Sequence, residues 1–377
     1  MEYVRLRRRD FHGLRRLGIL AGALVLLTAC GGTSTSTTTT SAANAKSAAD
    51  VGGMTALIAA AKKEGKLNVI ALPPDWANYG AIISGFTAKY GIPIDSANPN
   101  GTSQDEVNAV QQLAGTTRAP DVLDIGKAVT LANLSLYAPY KVQTWNDIAD
   151  TQKEATGLWV QDYGGYMSIG YDSAKVPAIT SFADLLGSGF KGRIALNGDP
   201  TKANAALNGV MMTSIANGGS ADDISKGVDF FHQLKVKGNF TPVSATTATV
   251  KNGSTPVVFD WDYLSAAHGK DVPTWKVFTP NNAILGDYYN QAINKGAPHP
   301  AAARLWMEYL YSDAGQNAWL RGLARPVRMA AMQKAGTLDA AAAAKLAPVS
   351  GTPTFLTDAQ ATKAKDYLAS HWAQAIG

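Results

Sequence analysis

Residues 59–72 read Ala-Ala-Ala-Lys-Lys-Glu-Gly-Lys-Leu-Asn-Val-Ile-Ala-Leu, and the succession of textures in that stretch sets the fold class. Good helix formers run over residues 54–63 and stop at Glu64-Gly65, with glycine where a helix commonly turns left-handed. Residues 67–72 are then a short apolar run with β-branched members, the pattern of a buried strand. Pro73-Pro74-Asp75-Trp76 breaks that run, and helical spacing resumes over 79–90 through Ile82, Ile83 and Phe86. A second strand is expected at 92–94. A third helix is expected at 104–113, entered through Thr102-Ser103 as a cap, and a third strand at 119–125. Strands alternating with helices of this length imply an α/β fold of mostly parallel sheets flanked by helices.

The second half continues with a different rhythm. Residues 166–171 read as a strand, 181–186 as a short capped helix, and 191–196 as a strand entering the turn Asn197-Gly198-Asp199-Pro200. There Asp199 is expected to cap the next helix, with Pro200 at its first position. Helices at 203–215 and 221–234, a strand at 256–260 and one long amphipathic helix at 300–323 follow. Helical segments near 328–334, 339–345 and 358–375 finish the chain, and no internal repeat interrupts it.

The front of the chain has another purpose. Residues 17–27 are almost wholly apolar and follow Arg5, Arg7, Arg8, Arg9, Arg15 and Arg16. A basic segment, a short apolar segment and then small residues describe a secretory signal. The apolar run of about 11 residues is too short for a membrane span, which needs roughly 20. Leu27-Thr28-Ala29-Cys30 resembles the lipobox of bacterial lipoproteins, which implies a signal peptide over 1–29 and lipidation of the Cys30 thiol. Arg7-Arg8-Arg9-Asp10-Phe11 also resembles a twin-arginine export signal, with an ordinary positive segment as the alternative. Residues 30–50 are rich in Gly, Ser, Thr and Ala and are expected to form a disordered tether.

Charge and cysteine content narrow the function classes. The chain carries a formal net charge of +5. Six arginines against Glu2 and Asp10 in residues 1–29 account for four of those charges, so the remainder is nearly neutral. No basic stripe remains to favour a nucleic acid. Cys30 is the only cysteine, so the folded part contains no disulfide. Its stability must come from a large core, for which roughly 325 residues are ample, most simply as two lobes.

Several stretches, in this order, resemble the type II solute-binding proteins of ABC importers. AAAKKEGKLNVIAL (59–72), FTAKYGIPI (86–94) and APDVLDIG (119–126) look like the first three strand–helix units of lobe one. The stretch 166–200 looks like the crossing into lobe two, and 295–320 like a late packing helix. Within the group the likeness is to the iron(III), polyamine and aminoalkylphosphonate branch. The resemblance implies a two-lobed periplasmic-binding-protein-like fold, with lobe one from 51–165 and 280–377 and lobe two from 166–279. It also implies a small-molecule solute in the cleft, a membrane ABC permease as partner, and a monomer held on the extracytoplasmic face of the cell membrane.

Ligands of open α/β sheets settle at the carboxyl ends of strands, where loops and helix N-termini converge. Those loops carry Asp75, Trp76, Asn100, Thr102, Ser103, Asn197, Asp199, Asp260, Trp261, Asp262 and Tyr263, with Asp124 just before Gly126. Tyr288 and Tyr289 lie where the family returns to lobe one, and alternation in a strand lets only one of them face the cleft. Each of these residues could instead cap a turn or pack in the core. Carboxylates beside aromatic faces suit an organic cation such as a polyamine. Iron(III) is weakened because the branch's adjacent tyrosine pair is replaced by Asp260-Trp261-Asp262-Tyr263. An aminoalkylphosphonate would use the helix start at Thr102-Ser103.

No HExxH, GxSxG or P-loop motif occurs, and no enzyme activity and no cofactor are expected. The five histidines are far apart in sequence, and no metal site is expected. A secreted glycosidase, whose paired carboxylates need no local motif, and a surface assembly lipoprotein are the readings from other classes. The anchor reading has a direct test. Cys30→Ser is expected to yield a soluble or unlipidated form, measured by partition between the aqueous and detergent-requiring membrane fractions.

Overall fold

The computed structural model describes residues 41–377. In chain order the elements are α1 (Met54–Glu64), β1 (Leu67–Ile70), α2 (Tyr79–Tyr90), β2 (Ile94–Ala97), α3 (Ser103–Gln112), β3 (Val122–Ile125), α4 (Lys127–Ala132) and β4 (Tyr137–Ala138). The long strand β5 (Val160–Asp172) leads to β6 (Ile194–Leu196), α5 (Asn204–Ala216), α6 (Ser225–Val236), β7 (Phe240–Ser244), α7 (Thr247–Lys251), β8 (Val257–Trp261), α8 (Asp262–His268) and β9 (Trp275–Phe278). The chain ends with β10 (Leu285–Asn294), α9 (Pro300–Leu310), α10 (Asp313–Arg321), β11 (Arg325–Pro326), α11 (Met329–Ala335), α12 (Ala340–Ala343), β12 (Thr354–Phe355) and α13 (Asp358–Ile376).

The α/β alternation expected from residues 59–72 is present, and β1 pairs in parallel with β2. Strand β6 likewise runs parallel to both β7 and β8. What joins these parts is antiparallel. The first half of β5 pairs with β10, and its second half pairs with β8 and β9. Strand β10 also pairs antiparallel with β3, so β5 and β10 together tie the β3 side to the β8 side. The crossing is tight at Gly164-Gly165. A methyl group on Gly164 would clash with the Asp287 carbonyl and the Tyr288 ring, and one on Gly165 with the Asp262 carboxylate and the Tyr263 ring.

Three local expectations differ from the structure. Residues 41–50, expected in the tether, are folded onto the body. Ala45 is buried there, and the buried Arg304 donates to the Ala45 carbonyl at 2.8 Å and the Ala43 carbonyl at 2.9 Å. Residues 1–29, Cys30 and the first part of the tether lie outside the described residues. The helix expected over 300–323 is two helices, because Ser312 adopts an extended conformation and caps α10, accepting from the Gly315 amide at 3.3 Å. Asp199 does not cap α5. It closes a turn by accepting from the Thr201 amide and hydroxyl, and the helix begins only at Asn204. Helix α13 touches both segments: its Asp358 lies 3.9 Å from Lys127 of α4, and its Trp372 packs edge-on against Phe231 and Phe240 of the 166–279 segment.

None of the described helices is long and apolar enough to cross a membrane. The crossing gives a first structural test. Gly164→Ala is expected to cost about 1–3 kcal/mol or more through overpacking, read as a lower urea midpoint at unchanged slope.

Candidate functional site

The carboxyl ends of β1, β3, β6 and β8 open onto one cavity of about 480 Å³. One wall is built by the loop after β1, the start of α3 and Asp124 of β3. The opposite wall comes from Asn197-Gly198 after β6, the start of α5, the β7–α7 turn and Asp260 of β8. Tyr163 of β5 and Tyr289 of β10, the crossing strands, line the cavity between the two walls. Closeness of the walls is set by Gly126, since a methyl group there would collide with the Asn204 side chain.

Of the residues expected from sequence, the structure gathers Asp75, Trp76, Thr102, Ser103, Asp124, Asn197, Asp260 and Tyr289 on this cavity, along with Asn100. Asp199, Trp261, Tyr263 and Tyr288 are not on its surface. The reason is alternation. Asp260 faces the cavity, so Trp261 next to it points inward and is 1% exposed, stacked parallel to the equally buried Tyr263. On β10, Tyr289 faces the cavity and Tyr288 turns away to stack on Phe355 at 6.2 Å. Asp262 is likewise occupied, paired with Arg325 at 2.7 Å and accepting from the Tyr166 amide.

The wall that holds Asp124 is a relay of short hydrogen bonds. The Trp76 indole donates to the Tyr163 hydroxyl at 2.8 Å, which donates to Asp124 Oδ2 at 2.9 Å. Tyr79 donates to the same oxygen at 2.7 Å, while the buried Oδ1 of Asp124 has no partner. Glu106 stands beside it, accepting from the Asp124 amide at 2.9 Å. Burial pushes the Asp124 carboxyl up to about 7 and holds Glu106 well above the usual carboxylate range. On the facing wall Asp260 Oδ2 accepts from Asn197 at 2.9 Å and Oδ1 from the Trp261 amide at 2.8 Å. Burial pushes this carboxyl also up to about 7.

Aromatic faces fill the space between. Tyr163 and Tyr289 stack at 5.6 Å, and Trp76 meets Tyr289 edge-on at 5.9 Å. The cavity thus carries Asp75, Glu106, Asp124 and Asp260 with no lysine or arginine on its surface. Its one histidine, His268, is shifted towards the neutral form by burial. The helix start is largely spoken for: Thr102 and Asp105 cap each other, and Ser103 Oγ accepts from the Gly126 amide.

Sequence reasoning missed Glu106, Tyr163 and His268. Glu106 lies one turn beyond Ser103 on α3, where an acidic residue ordinarily only complements the helix dipole. Tyr163 sits in a crossing strand whose register was not evident. His268 ends α8, a helix of only seven residues. A further signal is conformational. Among the described residues, Ala71, Ala77, Asn78, Asn98 and Leu323 are the non-glycines with positive φ. The first four sit in the loops after β1 and β2 that border the cavity, and Leu323 lines a smaller hollow adjoining it. Such backbone costs about 1–3 kcal/mol per residue and concentrates at binding sites.

Against known proteins, a family model described as bacterial extracellular solute-binding protein matches residues 129–350, more than half of the chain. Solved structures give the same architecture. AfuA from Actinobacillus pleuropneumoniae, with fructose-6-phosphate bound, superimposes with a TM-score of 0.65 at 16% identity, covering 83% of this chain and 98% of its own. A protein assigned to spermidine/putrescine ABC transport in Listeria monocytogenes gives 0.63 at 11% identity, covering 82% and 98%. Iron-bound HitA from Pseudomonas aeruginosa gives 0.58 at 19%, covering 83% and 99%. No curated protein matches the sequence significantly.

The contrast between Asp260 and its neighbour is testable without a ligand. An unfolded aspartate loses its proton near pH 4, whereas folded Asp260 keeps it to about 7. The folded state therefore binds more protons in that window, and this group's contribution to stability falls as pH rises through it. Asp260→Asn is expected to gain stability relative to the parent on going from about pH 5 to about pH 8. Trp261→Ala is expected to lose about 3–5 kcal/mol at either pH, both read from urea midpoints.

Proposed function

We propose that this chain, which belongs to the family of bacterial extracellular solute-binding proteins, captures a small organic cation and delivers it to an ABC importer. The observation that carries this reading is the charge of the cavity. Four carboxylates reach its surface and no lysine or arginine does. An anionic solute such as a sugar phosphate would meet four carboxyls there and no lysine or arginine, and repulsion would disfavour it. An ammonium group would find the unpartnered Oδ1 of Asp124 on one wall and the Asp260 carboxylate on the other. Two acidic foci on facing walls favour a solute with two or more positive groups, of the polyamine type. Tyr163, Tyr289 and Trp76 supply rings for its methylene chain and for cation–π contact.

The alternative ligands fare worse. Iron(III) in this fold calls for anionic tyrosine oxygens, but Tyr288 faces away and burial holds Tyr163 and Tyr289 well above their ordinary range, as neutral phenols. An aminoalkylphosphonate would bring its anionic oxygens against the cavity's carboxyls, and at the start of α3 the Thr102 amide and hydroxyl already donate to Asp105. We further propose that 51–165 with 280–377 and 166–279 form the two lobes and that β5 and β10 serve as the hinge between them. Ligand would then bind the closed arrangement better and shift the population towards it.

A thermal-shift screen tests the ligand class. Putrescine and spermidine are expected to raise the melting temperature, whereas fructose-6-phosphate and ferric citrate leave it unchanged. In titration calorimetry, Asp260→Asn and Trp76→Ala are each expected to weaken binding at least tenfold, about 1.4 kcal/mol or more. Stabilisation by the sugar phosphate or by ferric ion, with none by amines, would overturn the organic-cation reading.

A further inference from the structure

Behind Asp124 lies a third carboxylate that does not reach the cavity. Asp162 of β5 is fully buried, with Oδ2 accepting from Gln291 at 2.9 Å and Oδ1 from the Tyr163 amide at 2.6 Å. Glu106 is 1% exposed and Asp124 8%. Three buried acids from α3, β3 and β5 thus lie together, Glu106 and Asp124 on the cavity floor and Asp162 behind it. The groups that face them are neutral or acidic. Tyr79 comes from α2, Tyr137 from β4, Tyr163 from β5, and Tyr311 from the turn before α10. Tyr263 and Tyr289 face Asp124 from α8 and β10, and Asp105 faces Glu106 from its own helix. Among the described residues no lysine, arginine or histidine forms an ion pair with any of the three acids.

Adjacent ionised carboxylates without a counter-ion are strongly disfavoured in such a setting, and the ordinary remedy is to keep protons on some of them. The tyrosines donate hydrogen bonds but bring no positive charge. Among the oxygens of the three acids, Asp124 Oδ1 is buried without a hydrogen-bond partner, on a side chain that lines the cavity. A cation docking there does electrostatically what the proton does, so the two compete for the same floor.

We propose that Glu106, Asp124 and Asp162 form a proton-exchange floor, which carries protons while the cavity is empty and releases one when an ammonium group docks on Asp124. The step makes no covalent bond to the solute. A carboxyl O–H ionises, its proton leaves to solvent, and the carboxylate accepts the N–H of the incoming ammonium. This rests on the organic-cation reading and adds to it a dependence of capture on pH. Burial holds all three carboxyls upward, Asp124 to about 7, so affinity rises as pH climbs towards that value and levels off above it.

Titration calorimetry of the full folded chain with spermidine and putrescine, in buffers of different ionisation enthalpy, reads the exchange directly. Near pH 6, about one proton per ligand bound is expected to be released from the floor, beyond what Asp260 on the facing wall releases and read as the part of the count that Asp124→Asn removes, with affinity rising between about pH 5.5 and 7. Asp162→Asn and, as a second variant in case that one misfolds, Glu106→Gln are expected to lower the proton count and flatten the slope. Amine binding with no proton release and no pH dependence would overturn the exchange while leaving the organic-cation reading intact. Failure of both amines to bind would overturn the reading and the exchange together. A ligand-free arm stands apart from both: carbon-13 spectra of labelled Asp and Glu should show carboxyls titrating above pH 6 that vanish in Glu106→Gln, Asp124→Asn and Asp162→Asn. Absence of such resonances would overturn the proton-loaded floor whatever ligand binds.

Discussion

Everything in this molecule turns on how closely β5 passes its neighbours at Gly164-Gly165. At that point the backbone of β10 and the carboxylate of Asp262 occupy the space where side chains would otherwise stand. Because no side chain intervenes, β5 pairs with β10 through one half and with β8 through the other. The β3 and β8 sides are therefore brought together across one strand, and their loops share one cavity. Arg325 completes the junction, bonding Asp262 and lying over the Tyr166 ring at 4.5 Å. A buried charge paired in this way is costly to break, so the junction is also a point of rigidity.

The cavity that results is unusual in its electrostatics. Buried acids ordinarily meet a basic partner, as Asp121 meets His299 at 2.9 Å elsewhere in this protein. Asp124, Glu106 and Asp260 meet only hydroxyls, amides and other acids. Tyrosine and amide donors stabilise one carboxylate oxygen at a time but leave the net charge in place. Such a site stores a preference for positive charge, and the surrounding aromatic rings add to it without competing for hydrogen bonds. The strained loops after β1 and β2 hold their residues in place before a ligand arrives, which limits the ordering cost of binding.

Much of this was legible in the chain. The helix-stop-strand succession at 59–72 is local, set by helix propensity, a left-handed glycine at Gly65 and the β-branched run after it. The loops bearing Asp75, Trp76, Thr102, Ser103, Asp124, Asn197 and Asp260 could be placed because ligands of α/β sheets gather at strand ends. Trp261, Tyr263 and Tyr288 could not be sorted from their neighbours, because which face of a strand looks inward is decided by its partners and not by its own residues. Asp199 illustrates another ambiguity: an aspartate before proline reads equally as a helix cap or as a turn, and here only three residues of chain decide for the turn.

The sequence by itself determined the alternation of helix and strand from 54 to 125, the polarity of the loops and the scarcity of histidine and cysteine, because these follow from local propensity and composition. It also determined that one tyrosine of the 288–289 pair would face the site, because strand side chains alternate. Only the tertiary structure decided which one. It alone set Asp162 behind Asp124 and Glu106 beside it, two carboxylates that are 38 and 18 residues distant from Asp124 along the chain. Their shared burial, and hence their protonation, depends on α3, β3 and β5 packing together. No single segment of sequence carries that long-range information.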